Sequence, residues 1–211
     1  MKEKISVFWF RRDLRLDDNV GLFEALNGAF PVLPIFIFDK DILEGLPMED
    51  PRVSFIHQNL QRLRTILQQQ FSSSIAIFHG KPLEIFKGLT DKYAIDCVYT
   101  NHDYEPYAIS RDNAVRTLLE TSGISFKTFK DQVIFEKNEV VKEDGNPYVV
   151  YTPYKNKWKE HFNADKHLQL HDSMGNLRKL MPIANLPNLS LKELGFAPSK
   201  IKVPDYVITP T

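Results

Sequence analysis

Six of the eight residues from Arg11 to Asp18 are charged, with both signs present, and they follow directly on the apolar run Ile5 to Phe10. Charges at the end of a buried strand can grip a polar ligand or face a second domain. The same composition also suits a solvated loop with internal ion pairs and a helix cap. A second group is Phe38-Asp39-Lys40-Asp41 with Arg52 and Phe55 beyond a stretch containing Pro and Gly. There, Asp39, Asp41 and Arg52 can fix the polar edge of a ligand, and Phe36, Phe38 and Phe55 can cover a planar ring. Helix caps and core packing use the same residue types. The third group, Asn101-His102-Asp103-Tyr104-Glu105-Pro106, sets two carboxylates and an imidazole together. Asp103 can accept a hydrogen bond from a ligand, and Glu105 can serve as a first-turn acid favoured by the helix dipole.

Other chemistries lack their residues. No Gly-x-Gly-x-x-Gly follows the first apolar run and no Gly-x-x-x-x-Gly-Lys loop occurs, so the phosphate-cradling modes lose their main support. There is no Gly-x-Ser-x-Gly elbow for a serine nucleophile. The six histidines never fall into His-Glu-x-x-His spacing, and no metal site is expected.

The elements that must position the three groups are legible as an alternation. Five short apolar runs, Ile5 to Phe10, Val32 to Phe38, Ile75 to His79, Cys97 to Asn101 and Ser125 to Phe129, have the look of strands buried on both faces. Between them, Pro51 to Gln70 carries Val53, Ile56, Leu60, Leu63 and Leu67 on one helical stripe. Asp18 or Asn19 caps a helix through Leu26, Pro82 opens one toward Tyr93, and Pro106 opens one that stops at Gly123. The fold class is therefore α/β: a doubly wound, five-stranded parallel sheet of Rossmann-like type flanked by helices, with an extended C-terminal connector. Such sheets bind ligands at the carboxyl ends of their strands, where the winding reverses. From Asp144-Gly145-Asn146-Pro147 the pattern changes to a turn, a short β-like Tyr148 to Thr152 and a helix from Pro153 to Phe162. Residues 163–211 hold five of the thirteen prolines and only a brief helical hint near Ser190 to Leu194. They are expected to be a connector over a surface, after a domain at 1–162.

Composition bounds the rest. With 43% hydrophobic and 26% charged residues the 211-residue chain can bury an ordinary core, which excludes disordered and collagen-like classes. The 27 basic residues balance 27 acidic ones, so no global field drives binding to nucleic acid. Cys97 is alone and forms no intrachain disulfide or thiolate metal site. With no secretory signal or run of ~20 apolar residues, a reduced, cytoplasmic protein is expected.

The run Phe8-Trp9-Phe10-Arg11-Arg12-Asp13-Leu14-Arg15-Leu16-Asp17-Asp18-Asn19 resembles the opening signature of the DNA photolyase and cryptochrome family. Asp103-Tyr104-Glu105-Pro106-Tyr107-Ala108 with Arg111-Asp112, and Tyr151-Thr152-Pro153-Tyr154-Lys155-Asn156-Lys157-Trp158, resemble later motifs of the family in the same order. The resemblance implies a two-lobed flavoprotein. Its N-terminal α/β lobe carries an antenna chromophore in many members, and a larger helical lobe holds FAD, the DNA lesion site and a tryptophan electron relay. On that basis the chain is expected to be the first lobe plus its connector, a piece without catalytic residues of its own. Its partners are then its own C-terminal FAD domain and, through that domain, damaged DNA.

By the same resemblance, Phe36, Ile37, Phe38, Asp39, Arg52, Phe55 and Asp103 surround the dye, while Arg11, Arg15, Tyr154, Lys155 and Trp158 face the second lobe. Trp158 has the alternative of simply anchoring the last helix. Folate-binding members use an Asn-Glu pair where this chain has Tyr107 and Ala108, which argues against folate and for a deazaflavin, a flavin or an empty pocket. Three functional readings follow. The first is the antenna lobe of a deoxyribodipyrimidine photolyase, a lyase that splits cyclobutane pyrimidine dimers with light and FAD. The others are a cryptochrome photoreceptor and a stand-alone nucleotide- or dye-binding module.

Overall fold

The computed structural model describes residues 3–182 and 186–201. In chain order the elements are β1 (Lys4–Phe10), α1 (Val20–Leu26), β2 (Val32–Asp39), α2 (Lys40–Leu43), α3 (Pro51–Phe71) and β3 (Ala76–Gly80). These are followed by α4 (Pro82–Lys92), β4 (Ala94–Asn101), α5 (Pro106–Thr121), β5 (Ser125–Phe129), α6 (Tyr151–His161) and α7 (Ala164–His167). All four strand pairings are parallel, in the order β3-β2-β1-β4-β5, so the winding reverses between β1 and β4. The expected five-stranded, doubly wound sheet is present.

The two-residue period of β1 divides the core. Phe8 and Phe10 pack with Leu22, Ala25 and Leu26 of α1 and with Leu60, Leu63 and Leu67 of α3. Ile5, Val7 and Trp9 face the other way, onto Phe86 and Leu89 of α4 and Val115 and Leu119 of α5. Helix ends follow side-chain chemistry. Asn19 accepts from the Leu22 N–H at 3.1 Å, and Asp50 accepts from the Arg52 N–H at 2.8 Å with Pro51 in the first turn. Gly123, at φ +71°, supplies the left-handed residue that follows α5.

Two expectations need correction. No strand forms over 148–152: Tyr151 and Thr152 open α6, and Pro153 is accommodated because first-turn amides lack intrahelical partners. Val149, at 88% exposure, is outside the sheet, so its β propensity has nothing to pack on. The chain beyond residue 162 is also more than a surface connector. Leu177, Leu180, Met181, Leu186 and Leu194 are buried in the two cores. The Met181 N–H donates to the Val32 carbonyl at 2.8 Å, and the Ile77 N–H donates to the Pro187 carbonyl at 2.8 Å. Buried Arg64 donates to the carbonyls of Ile75 and Pro187, which ties the returning chain to α3. The hint at Ser190 to Leu194 appears as a turn that buries Leu194. The parts of the connector at 183–185 and 202–211 lie outside the described residues.

Leu177→Ala is expected to cost ~2–5 kcal/mol in urea unfolding, as for a fully buried leucine. Leu170→Ala, at a residue 82% exposed, should stay within ~0.5 kcal/mol. Equal effects would show that the returning chain is not part of the core.

Candidate functional site

Where the winding reverses, the loops after β1 and β4 are fastened by a buried polar network. The Asn101 side chain accepts from the Gly21 N–H at 2.9 Å and donates to Asn19 Oδ1 at 2.9 Å and to the Asp13 carboxylate. Asp13 also accepts from the Arg11 N–H at 3.0 Å and from Asn19 Nδ2 at 3.2 Å. A Cβ on Gly21 would lie 2.5 Å from Asn101 Oδ1, so only glycine allows this approach of α1 to β4.

A charge cluster sits beside the network. Arg11 Nη1 donates to both oxygens of Asp112 at 2.8 and 2.7 Å, and its Nη2 donates to the Asn101 carbonyl. Arg111 reaches the same carboxylate through Nε at 3.1 Å and Nη2 at 3.0 Å. Both arginine side chains are only 8% exposed. Burial draws the Arg11 guanidinium below its usual range, and the Asp112 carboxylate opposes that. The two guanidinium carbons lie 5.1 Å (Arg11) and 4.9 Å (Arg111) from the Trp9 ring centroid.

Next to this cluster, at the strand ends, opens a cleft of about 620 Å³. Trp9, Phe36, Ile37 and Phe38 line it from the sheet, Leu43, Leu46, Val53 and Ile56 from α2, α3 and their connection, and Arg12, Arg52, Phe55, Asp103 and Arg111 bring charge and a further ring. All seven residues that the sequence assigns to a ligand site, Phe36, Ile37, Phe38, Asp39, Arg52, Phe55 and Asp103, line this one cleft. Their polar groups already have partners. Asp39 caps α2 by accepting from the Asp41 N–H at 3.1 Å and accepts the Tyr107 hydroxyl at 2.7 Å. Burial and that bond push the Tyr107 phenol above its usual range. Arg52, 70% exposed, donates through Nε and Nη2 to Asp50 at 3.1 and 2.7 Å. Asp103 lies 3.6 Å from Arg12 and accepts from the Glu105 N–H at 3.3 Å.

His102 is not in the cleft; it bridges Glu136 at 2.7 Å and Thr128 at 3.0 Å. Of the residues expected to face a second lobe, Arg11 turns inward as described, and Arg15 holds Asp131 at 2.8 Å and the Asp18 carbonyl at 2.6 Å. Tyr154 is exposed, Lys155 is half-buried, and Trp158 stacks on Phe162 at 5.0 Å and meets Phe135 edge-on at 5.4 Å. Sequence reasoning missed Trp9 and Arg111 as wall residues. Trp9 reads as core, though it stands one residue before the strand end. Arg111 falls one helical turn after Tyr107, the i,i+4 spacing that shares a face.

Among the described residues no cluster of three or more His, Cys, Asp or Glu could hold a metal, and no helix is long and apolar enough to cross a membrane. Apolar walls and a charged rim suit reversible binding of a flat molecule with one polar edge.

Fold and cleft together define a doubly wound α/β domain with an open strand-end cleft. The sequence profile of DNA photolyase matches residues 6–172. A deoxyribodipyrimidine photo-lyase from Synechococcus sp. is 35% identical over 152 residues, 72% of this chain and 31% of the relative. Another from Halobacterium salinarum is 31% identical over 95% of this chain and 43% of its own length. Among solved structures, a class III photolyase from Agrobacterium tumefaciens superposes with TM-score 0.77 at 25% identity, over 95% of this chain and 40% of that one. An archaeal photolyase from Sulfolobus tokodaii, solved with two FAD molecules and implying a novel light-harvesting cofactor, gives TM-score 0.59 at 36% identity over 65% of this chain and 32% of that one. The chain belongs to the DNA photolyase family. It spans between 31% and 43% of the length of the named curated photolyases.

The Arg52 side-chain hydrogen bond holds the Asp50 carboxyl below its ordinary value of 3.8, against the opposing effect of burial. A depressed carboxyl contributes stability above its unfolded value and loses it as pH falls through the folded one. Arg52→Ala should therefore raise the Asp50 titration toward 3.8, read by carboxyl-carbon NMR. An unmoved titration would contradict the pairing.

Proposed function

We propose that the chain is the antenna-binding lobe of a light-driven photolyase acting on cyclobutane pyrimidine dimers in DNA. In this reading a helical lobe supplies FAD, the lesion site and the DNA-binding surface. The supporting observation is the cleft, which gathers the seven anticipated residues at the point where the winding reverses, with rings and aliphatic side chains on its walls and charge at its rim. The names of the relatives support the repair reaction, and the two FAD molecules of the Sulfolobus tokodaii structure support a flavin as the second dye.

The residues fit a flat tricyclic ring. Phe36 and Phe38, whose rings meet at 4.9 Å and 67°, offer a face and an edge, and the aliphatic residues of α2 and α3 exclude water. Asp39, oriented by Tyr107, and Asp103, near Arg12, present oxygens to N–H groups at the ring's edge, while Arg52 offers charge at the mouth. Tyr107 and buried Ala108 stand where folate-binding members use Asn and Glu, and Tyr107 is committed to Asp39, which supports a deazaflavin or a flavin over folate. When bound, the dye supplies absorption of near-ultraviolet or blue light and transfer of excitation to FAD without contact. This chain's part is to bind, orient and keep dry, so none of its residues acts as acid, base or nucleophile. Exposed Tyr154 with Lys155, on α6, and the returning chain serve the junction with the FAD lobe. A cytoplasmic location accords with Cys97, a buried free thiol.

Titration of the chain with FMN, FAD and a 5-deazaflavin, followed by dye fluorescence, tests the cleft. Asp103→Ala and Arg52→Ala should each weaken binding about tenfold, or ~1.4 kcal/mol, with unchanged far-ultraviolet circular dichroism. Wild-type affinity in both variants would remove the assignment. For the reaction, cells lacking this gene should lose blue-light rescue from ultraviolet damage; retained rescue would count against repair.

A further inference from the structure

We infer that Arg11 and Arg111 form an electrostatic shield over Trp9 that keeps its indole from quenching a light-excited dye in the strand-end cleft. This rests on the dye-binding reading of the cleft. Trp9 is the one indole lining that cleft among the described residues. Indole is among the most easily oxidised side chains, and a light-excited flavin or deazaflavin is a one-electron oxidant. At close range an electron would pass from the indole π system to the excited dye, leaving Trp9 oxidised to its radical cation and the dye reduced by one electron. No bond breaks; the electron returns in the dark and the excitation is lost as heat. An antenna must avoid that exchange, yet a large aromatic residue is the natural filler at this position, where Trp9 also packs edge-on against Phe86 at 5.1 Å.

The two guanidiniums resolve the conflict. A cation near an aromatic ring is attracted to the neutral ring's quadrupole and repelled by the same ring once it carries positive charge. At 5.1 and 4.9 Å, in a site where both side chains are 8% exposed, that repulsion is weakly screened. The oxidised state therefore rises in energy while the resting state is stabilised. Asp112 keeps both arginines in place, and together with Asp39, 3.9 Å from Arg111, it balances their formal charge, so the shield rests on the two guanidiniums standing over the ring. These carboxylates meet the N–H edges of the guanidiniums. The arrangement is specific to Trp9, since Trp158 packs on Phe162 and Phe135 and does not line the cleft.

The test is the fluorescence lifetime of bound dye, with FMN and a 5-deazaflavin each brought to saturation on the full chain. Arg111→Met should shorten the lifetime severalfold, and Trp9→Phe added to Arg111→Met should restore it, because the electron donor is gone. Should Arg111→Met fail to fold, Arg111→Gln removes the same charge with a polar stem and serves in its place. An unchanged lifetime in the saturated Arg111 variant overturns the inference, as does a double variant that stays quenched. Absence of binding by either dye in the preceding titration would defeat the cleft reading and the shield with it, an outcome distinct from bound dye with an indifferent lifetime.

Discussion

The architecture turns on the hydrogen bonds of Asn101 at the end of β4. One side chain receives the start of α1 through the Gly21 amide, and it reaches Asn19 and Asp13 of the loop after β1. These are the two strands between which the winding reverses, so the bonds fix the width and floor of the groove that a doubly wound sheet opens there. Buried polar groups of this kind are costly unless satisfied, and together they define one arrangement of the loops. Arg11, extending from the same loop, carries the fastening to Asp112 on α5.

Around that point the molecule assigns separate tasks to its charges. The inner set, Arg11, Arg111, Asp112 and Asp39, is almost wholly buried and mutually paired, and it holds Trp9 and Tyr107 in place. The outer set, Arg12, Arg52 and Asp103, stands at the cleft: Arg12 lies 3.6 Å from Asp103, and Arg52, 70% exposed, pairs with buried Asp50. The returning chain contributes from the amino ends of the strands. By donating to Val32 and burying Leu177 and Leu180 beside α1, it stiffens β2, whose far end carries Phe36, Phe38 and Asp39 into the cleft.

The sheet was legible because parallel strands covered on both faces are written as unbroken apolar runs, and β2 is buried at all eight positions. The residues that meet at the strand-end cleft were legible for a related reason: loops after such strands must converge, and only a few carry rings and charges together. What the sequence hid depended on partners distant in the chain. Val149 and Val150 have strand propensity but no neighbouring strand, and Leu177 and Leu180 show no period because each fills a gap made by other elements. Asp39 and Arg52 looked like free ligand groups, yet Tyr107 and Asp50 engage them. Trp9 looked like core alone, and its place beside two guanidiniums required α5 to be docked first.

We propose that the strand-end cleft, and no other surface, holds a flat dye. A crystal structure of the chain grown with a bound flavin tests it most directly. The ring system is expected among Phe36, Ile37 and Phe38 with its polar edge toward Asp39 and Asp103. A flavin seated elsewhere, on the α6 face or against His167 and His171, would contradict it.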